Sequence, residues 1–261
     1  MRRALLLGAI ALALPSPALA DPPRGGIVHV SVPPGTSLRE YGYQLFGGNC
    51  VTCHGSGGRG IYSSQHPGSG GQTELGPKLK GVGAIAPDFY LRTGYMPVAS
   101  ARVQPRRSRV LFSEREIRAL VAYVASLGPG PAIPHPQPER GTVAKGLTLF
   151  TRHCAGCHQI NAEGGYVTGA VAPPLENATA VEIAEAIRLG PYLMPRFSRK
   201  QLGDRDVDSI IRYVQRTKHP EDRGGWAIGH IGPVPEGVVT WLIAMVVLVA
   251  TCVVIGKRHE A

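Results

Sequence analysis

Two stretches of the chain are apolar and free of charge, and between them short helical patterns alternate with long glycine- and proline-rich segments. The first stretch, Ala4 to Leu14, has 11 residues, too few to span a bilayer comfortably. Arg2 and Arg3 precede it, Pro15 to Pro17 break it, and Ala18-Leu19-Ala20 offers a small-x-small cleavage signal before Asp21. That order reads as a signal peptide over residues 1–20, with an uncleaved leader serving as a second anchor as the alternative. The second stretch, Val238 to Ile255, runs 18 residues without a charge, the length of one transmembrane helix. Lys257 and Arg258 follow it, which places the C-terminus in the cytoplasm and residues 21 to about 236 outside the membrane. Trp241 stands near its outer end, and Cys252 within it is assigned no chemistry.

The polar remainder repeats itself. Gly42-Tyr43-Gln44-Leu45-Phe46 precedes Cys50-Val51-Thr52-Cys53-His54, and Gly146-Leu147-Thr148-Leu149-Phe150 precedes Cys154-Ala155-Gly156-Cys157-His158. Gly76-Pro77-Lys78-Leu79 matches Ala172-Pro173-Pro174-Leu175, and Arg92 to Pro97 matches Arg188 to Pro195 with two residues inserted before Met194-Pro195. Ser113 to Leu127 matches Gly203 to Thr217. Ile117, Leu120, Tyr123 and Val124 fall opposite Val207, Ile210, Tyr213 and Val214, a helical spacing. Ser113 with Glu116 reads as a capping box at the start of the first of these closing helices. Each unit is therefore helix, CxxCH, glycine-rich loop, methionine loop, closing helix. The pattern predicts an all-α fold of two tandem domains, residues 36–128 and 140–218. A proline-rich linker over 129–139 joins them as a semi-rigid spacer, and a juxtamembrane segment over 219–237 leads to the anchor at 238–255.

Composition adjusts this picture. Glycine (34) and proline (23) predict long irregular stretches, and aromatics at 6% leave each small domain wanting a large apolar group at its centre. Net charge is +10 for the whole chain; without leader and tail, 24 basic and 17 acidic residues remain. No motif links this charge to nucleic acid, and none is expected as a partner. Lipid headgroups or an acidic protein suit it better.

Four of the five cysteines form the two CxxC pairs. A zinc ribbon places two such pairs about 15–20 residues apart, whereas Cys53 and Cys154 are separated by a whole domain. CxxCH is the attachment signature of c-type haem. Cysteines three apart lie on one helical turn and can each bond a former vinyl group, while the next residue points an imidazole at the iron. Cys50, Cys53, Cys154 and Cys157 are thus candidates for covalent attachment of two haems c, with His54 and His158 as axial ligands. Of the four methionines, Met1 is in the leader and Met245 in the membrane span. Met96 and Met194 fall one per repeat, each before proline, and are the candidate sixth ligands; a thioether suits haem iron and raises its potential. His66, His153, His219 and His230 compete as ligands but have no counterpart in the other repeat. Pro77 and Pro174 would line the proximal side, where a backbone carbonyl can orient the histidine. Two filled axial positions leave no open site on iron, which favours electron transfer over catalysis. The basic run Arg102, Arg106, Arg107, Arg109, Arg115, Arg118 could serve a partner, propionates or headgroups. Gly55 to Gly71 reads as a flexible loop.

With these motifs the chain resembles the dihaem cytochrome c subunit of the actinobacterial menaquinol–cytochrome c reductase, the cytochrome bcc complex. The segments Thr93-Gly94-Tyr95-Met96-Pro97, Gly190 to Leu202, Gly224-Gly225-Trp226 and Gly232-Pro233-Val234-Pro235-Glu236-Gly237 carry the resemblance beside both CxxCH units. It implies partnership with a Rieske iron–sulfur subunit, a cytochrome b subunit and the copper-centre subunit of an aa3-type oxidase, towards which the electrons pass. It implies part of a quinol-oxidising translocase, with no catalysis by this chain alone. The short leader departs from relatives whose longer basic leader is retained. A dihaem peroxidase or thiosulfate-oxidising cytochrome, and a free-standing membrane cytochrome, are the competing readings.

Overall fold

A computed structural model describes residues 26–63, 73–98, 104–218 and 233–259. The leader over 1–20, Gly224-Gly225-Trp226, Arg102, His66, His219 and His230 lie outside the described residues.

Each repeat opens with an amphipathic helix ended by the first cysteine of its motif. α1 (Leu38–Asn49) starts at Ser37, whose hydroxyl accepts from the Glu40 amide at 3.2 Å. The Cys50 amide donates to Phe46, and a one-turn helix α2 (Val51–His54) follows. In the second repeat α5 (Val143–His153) is capped by Thr142 and passes through Cys154 into α6 (Ala155–His158). After each motif the glycine-rich stretch pairs with itself as a short antiparallel hairpin. These are β1 (Ile61–Ser63) with β2 (Thr73–Gly76) and β3 (Gly165–Val167) with β4 (Ala170–Ala172). The fold is two mainly helical domains, and the hairpins are a detail that helical periodicity could not reveal, because strands of three or four residues carry no measurable period. Helices α3 (Ile85–Arg92) and α7 (Ala180–Leu189) lead into the methionine loops, and α4 (Glu114–Ser126) and α8 (Asp204–Lys218) close the units.

The core of each domain is the crossing of opening and closing helix, α1 on α4 and α5 on α8. Gly42 and Gly146, which the repeats share, lie at the two crossings. A Cβ on Gly42 would overlap the Ala119 carbonyl and come within 2.8 Å of the Tyr123 Cβ. One on Gly146 would overlap the Ser209 carbonyl and come within 2.7 Å of the Tyr213 Cβ. The close approach lets Phe46 and Tyr123 pack at 5.1 Å between ring centroids, and Phe150 and Tyr213 at 5.2 Å, both tilted. The capping box of Ser113 and Glu116 is present, and α7 carries a second one built by Thr179 and Glu182. Glu116 is 4% exposed and meets His29 at 2.7 Å, which ties the N-terminal segment to α4.

The proline-rich segment does not stand clear of the domains. The Pro131 carbonyl accepts from the amides of Ala84 and Ile85, and Pro138–Arg140 forms a 3₁₀ turn whose carbonyl at Glu139 accepts from Arg212. The domains also touch directly. The Gln104 side chain makes two bonds to the Val171 backbone, at 2.7 and 2.9 Å, Arg107 pairs with Glu182 at 2.8 Å, and α3 packs on α7. The separation expected from a spacer is replaced by contact, because the linker's own carbonyls are used against both domains, Pro131 on the first and Glu139 on the second.

α9 (Pro233–His259) carries charge only near its two ends and none between Val238 and Ile255. It is long and apolar enough to cross a membrane, with a candidate span at Val234–Arg258. Its uncharged 18 residues rise about 27 Å, close to the roughly 30 Å of a hydrocarbon core.

Candidate functional site

The second repeat places Cys154, Cys157, His158 and Met194 on the wall of one cavity. The cavity measures about 180 Å³, where a single water needs roughly 10–15 Å³ by the same measure. Its lining is mostly apolar and includes Phe150, Ile183, Ile187, Ile210 and Val214. α6 presents the motif. The His158 amide bonds the Cys154 carbonyl at 2.9 Å, so the turn brings cysteine and histidine to one side. Gln159 then takes φ 60° and the Gly164 amide returns to the His158 carbonyl, ending the helix.

His158 is 8% exposed, and its Nδ1 lies 3.0 Å from the Pro173 carbonyl oxygen. That oxygen can only accept, so Nδ1 carries the proton and Nε2 keeps a lone pair for a metal. Burial lowers the His158 pKa below its ordinary value, against the smaller upward pull of the Pro173 bond. In the first repeat His54 Nδ1 lies 2.8 Å from the Pro77 carbonyl. The expectation for Pro77 is met, whereas that for Pro174 is corrected by one residue. Pro174 lines the cavity as expected, but it is the half-buried Pro173 that turns its carbonyl to the ring.

In the first repeat Cys50 and Met96 pack against the same core cluster, Cys53 is exposed, and the Gly76 backbone passes against Cys53. Burial, with a smaller effect from the second cysteine of each pair, pushes the Cys50 and Cys154 thiols up to about 12. Thiols so placed are poor thiolate ligands. Among the described residues no group of three or more His, Cys, Asp or Glu could hold a bare metal ion. An apolar cavity with paired cysteines, an oriented imidazole and a thioether instead fits a flat, largely apolar metal macrocycle held covalently.

The methionine loops are fixed by matching devices. Gly190 ends α7 with φ +65°, and the Met194 amide donates to Pro191. Arg188 reaches across this loop, bonding the carbonyls of Phe197 and Leu202 and the carboxylate of Asp204 at the start of α8. Arg92, its counterpart, bonds Asp88 and, through both terminal nitrogens, Glu114 at the start of α4. The pairing could have been found from the repeat alignment, which sets Glu114 opposite Asp204.

Of the other candidates, the His153 ring stacks edge-on against Phe197 at the cavity margin. Arg107 is engaged by Glu182, Arg115 lies over the Tyr41 ring, and Arg118 stands 3.8 Å from Glu114. Sequence reasoning missed that the first domain completes the second cavity. Phe89, Thr93, Tyr95 and Gln104 line it. Tyr95 therefore faces the second cavity while its neighbour Met96 packs in the first domain's core.

The model of the family described as "Cytochrome c" matches residues 40–128, and that described as "Cytochrome C oxidase, cbb3-type, subunit III" matches 141–214. The cytochrome bc1 complex cytochrome c subunit of Corynebacterium diphtheriae is 34% identical over 240 residues, covering 85% of this chain and 82% of its own. That of Mycobacterium bovis is 35% identical over 232 residues, covering 85% and 79%. A cbb3-type cytochrome c oxidase subunit CcoP of an Azospirillum species is 30% identical over 204 residues, covering 66% and 60%.

Proposed function

The chain belongs to the family of cytochrome c subunits of the bc1 complex, an electron-transfer haem protein of a redox complex, and from that premise we propose that it relays single electrons through two haems held one per domain. Cys50 and Cys53 would hold one haem, with His54 and Met96 on its iron; Cys154 and Cys157 would hold the other, with His158 and Met194. Bound haem supplies a one-electron couple that neither side chains nor backbone offer. The protein's residues do the rest. Pro77 and Pro173 fix the tautomer and plane of the two imidazoles. Arg188 and Arg92 hold the methionine loops. The apolar walls exclude water, and the docked domains keep the second cavity beside the first domain's core through Tyr95 and Met96.

The observation carrying this reading is the convergence of Cys154, Cys157, His158 and Met194 on one apolar cavity, with the same motif repeated in the first domain. In this proposal the electrons come from a Rieske iron–sulfur subunit beside cytochrome b and leave towards the copper centre of an aa3-type oxidase. α9 anchors the chain, with the haem domains extracytoplasmic and the C-terminus cytoplasmic. Purification in mild detergent, with subunits identified and haem counted by pyridine haemochrome, tests it. Two haems per chain, together with cytochrome b and a Rieske protein, are expected. One haem, or isolation without those subunits, overturns it.

A further inference from the structure

The contact between the two domains contains a carboxyl group with no evident reason to be there. Glu185 on α7 is 0% exposed, and neither of its oxygens meets a donor among the described residues. An ionised carboxylate in that position would be costly, since burying a charge without a partner is among the most unfavourable events in folding. What faces it across the interface is Asp88 of α3, 4% exposed and within hydrogen-bonding reach. Two carboxylates can only accept. One proton between them converts the clash into a hydrogen bond, and the surroundings decide who carries it. Asp88 is already held by Arg92 Nε at 2.9 Å, and Arg92 is held in turn by Glu114. Near Glu185 stand Glu182, engaged by Arg107, with Lys218 of α8 also near Glu182 and Arg107, and Arg92 itself, whose charge opposes the rise without donating to Glu185.

We propose that Glu185 is a positioning residue for electron passage between the domains: its carboxylic acid donates to the Arg92-bound Asp88 carboxylate and thereby docks α7 on α3. Burial first, then the Asp88 charge, raises the Glu185 pKa to about 9, in keeping with a neutral acid at neutral pH. The arrangement runs Glu114, Arg92, Asp88, proton, Glu185, a continuous chain from one domain into the other. It sits one turn from the second cavity, since Glu182, Ala186 and Ile187 line that cavity. Docking at this point therefore sets how Tyr95 and Gln104 meet it. The inference rests on the two-haem reading only for its consequence, not for the interface itself.

The sign of the pH dependence follows from linkage. The docked state holds a proton up to about pH 9, whereas an opened, hydrated Glu185 loses it near its ordinary value of about 4.3. Docking is strongest below the lower value, weakens about tenfold for each pH unit between the two, and levels off above the higher. Hydrogen exchange of α3 and α7 amides in the detergent-solubilised complex, corrected for intrinsic pH effects, reads the opening constant. Between pH 5 and 9 it should rise about tenfold per unit in the native protein. In Glu185→Gln it should stay flat, because the carboxamide N–H donates to Asp88 at every pH. Electron transfer between domains should follow the same profile. Asp88→Asn, which removes the neighbouring charge but leaves Glu185 buried, should end the rise at a lower pH than in the native protein, and serves if the first variant does not accumulate. A slope in Glu185→Gln equal to the native one, an upper limit unmoved in Asp88→Asn, or no slope in the native protein overturns the proposal. A haem count below two would defeat the relay reading while leaving the exchange result to judge the interface.

Discussion

Replacing Arg188 tests whether the methionine loop is held from outside. The guanidinium is 13% exposed and gives two charge-assisted hydrogen bonds to backbone carbonyls, at Phe197 (3.3 Å) and Leu202 (2.8 Å). Such bonds are worth about 1.5–3 kcal/mol each. The pair with Asp204, which is 69% exposed, adds only about 0–1 kcal/mol. Arg188→Ala should therefore cost about 3–6 kcal/mol, trimmed towards the lower figure as water reaches the freed carbonyls. Against a total domain stability of about 5–15 kcal/mol this is a large share. Because Met194 lies between Gly190 and Phe197, the loop should release its sulfur from iron before the helices unfold. Guanidinium titration of the haem-loaded protein, followed by the methionine–iron absorption band and by far-ultraviolet circular dichroism, separates the two events. Asp204→Ala, which removes the exposed partner alone, should shift the midpoint by no more than about 1 kcal/mol. Equal losses in the two variants, or an Arg188→Ala midpoint indistinguishable from the native one, would show that the loop is held by something other than this side chain.

Gly42→Ala must push α1 from α4 by more than about 1 Å, because the added Cβ overlaps the Ala119 carbonyl, and should destabilise by at least about 1–3 kcal/mol. Gly47→Ala on the same helix meets nothing within 4 Å and should gain up to about 1 kcal/mol; denaturation midpoints of opposite sign are the expected outcome. Met194→Ala should keep covalent haem and lower the potential of one centre, and an unchanged redox titration would reject Met194 as ligand. Cys154→Ser with Cys157→Ser should leave one haem per chain by pyridine haemochrome, and a count of two would refute the attachment site.

Much of the site is legible in the amino-acid order. The CxxCH spacing fixes its geometry within five residues, so Cys154 and His158 sit on one turn wherever the chain goes. The repeat supplies a second reading of each position, which is how Met96 and Met194 stand out from Met1 and Met245. The proximal carbonyl was also within reach, because the repeat alignment sets Pro77 opposite Pro173, and it is Pro173, one residue before the expected Pro174, that turns its carbonyl to the ring.

The sequence alone determined the features written in contiguous residues or in the repeat: the helical turns, the motif, the apolar helix and the order of parts. The tertiary structure alone decided how the two domains meet. Gln104 on Val171, Arg107 on Glu182 and Asp88 against Glu185 join residues more than 60 positions apart. No period or motif encodes them, because such contacts depend on how two closed helical units dock. A buried Glu185 reads from sequence as a polar position on a surface helix; only the facing α3 makes it an acid that must keep its proton.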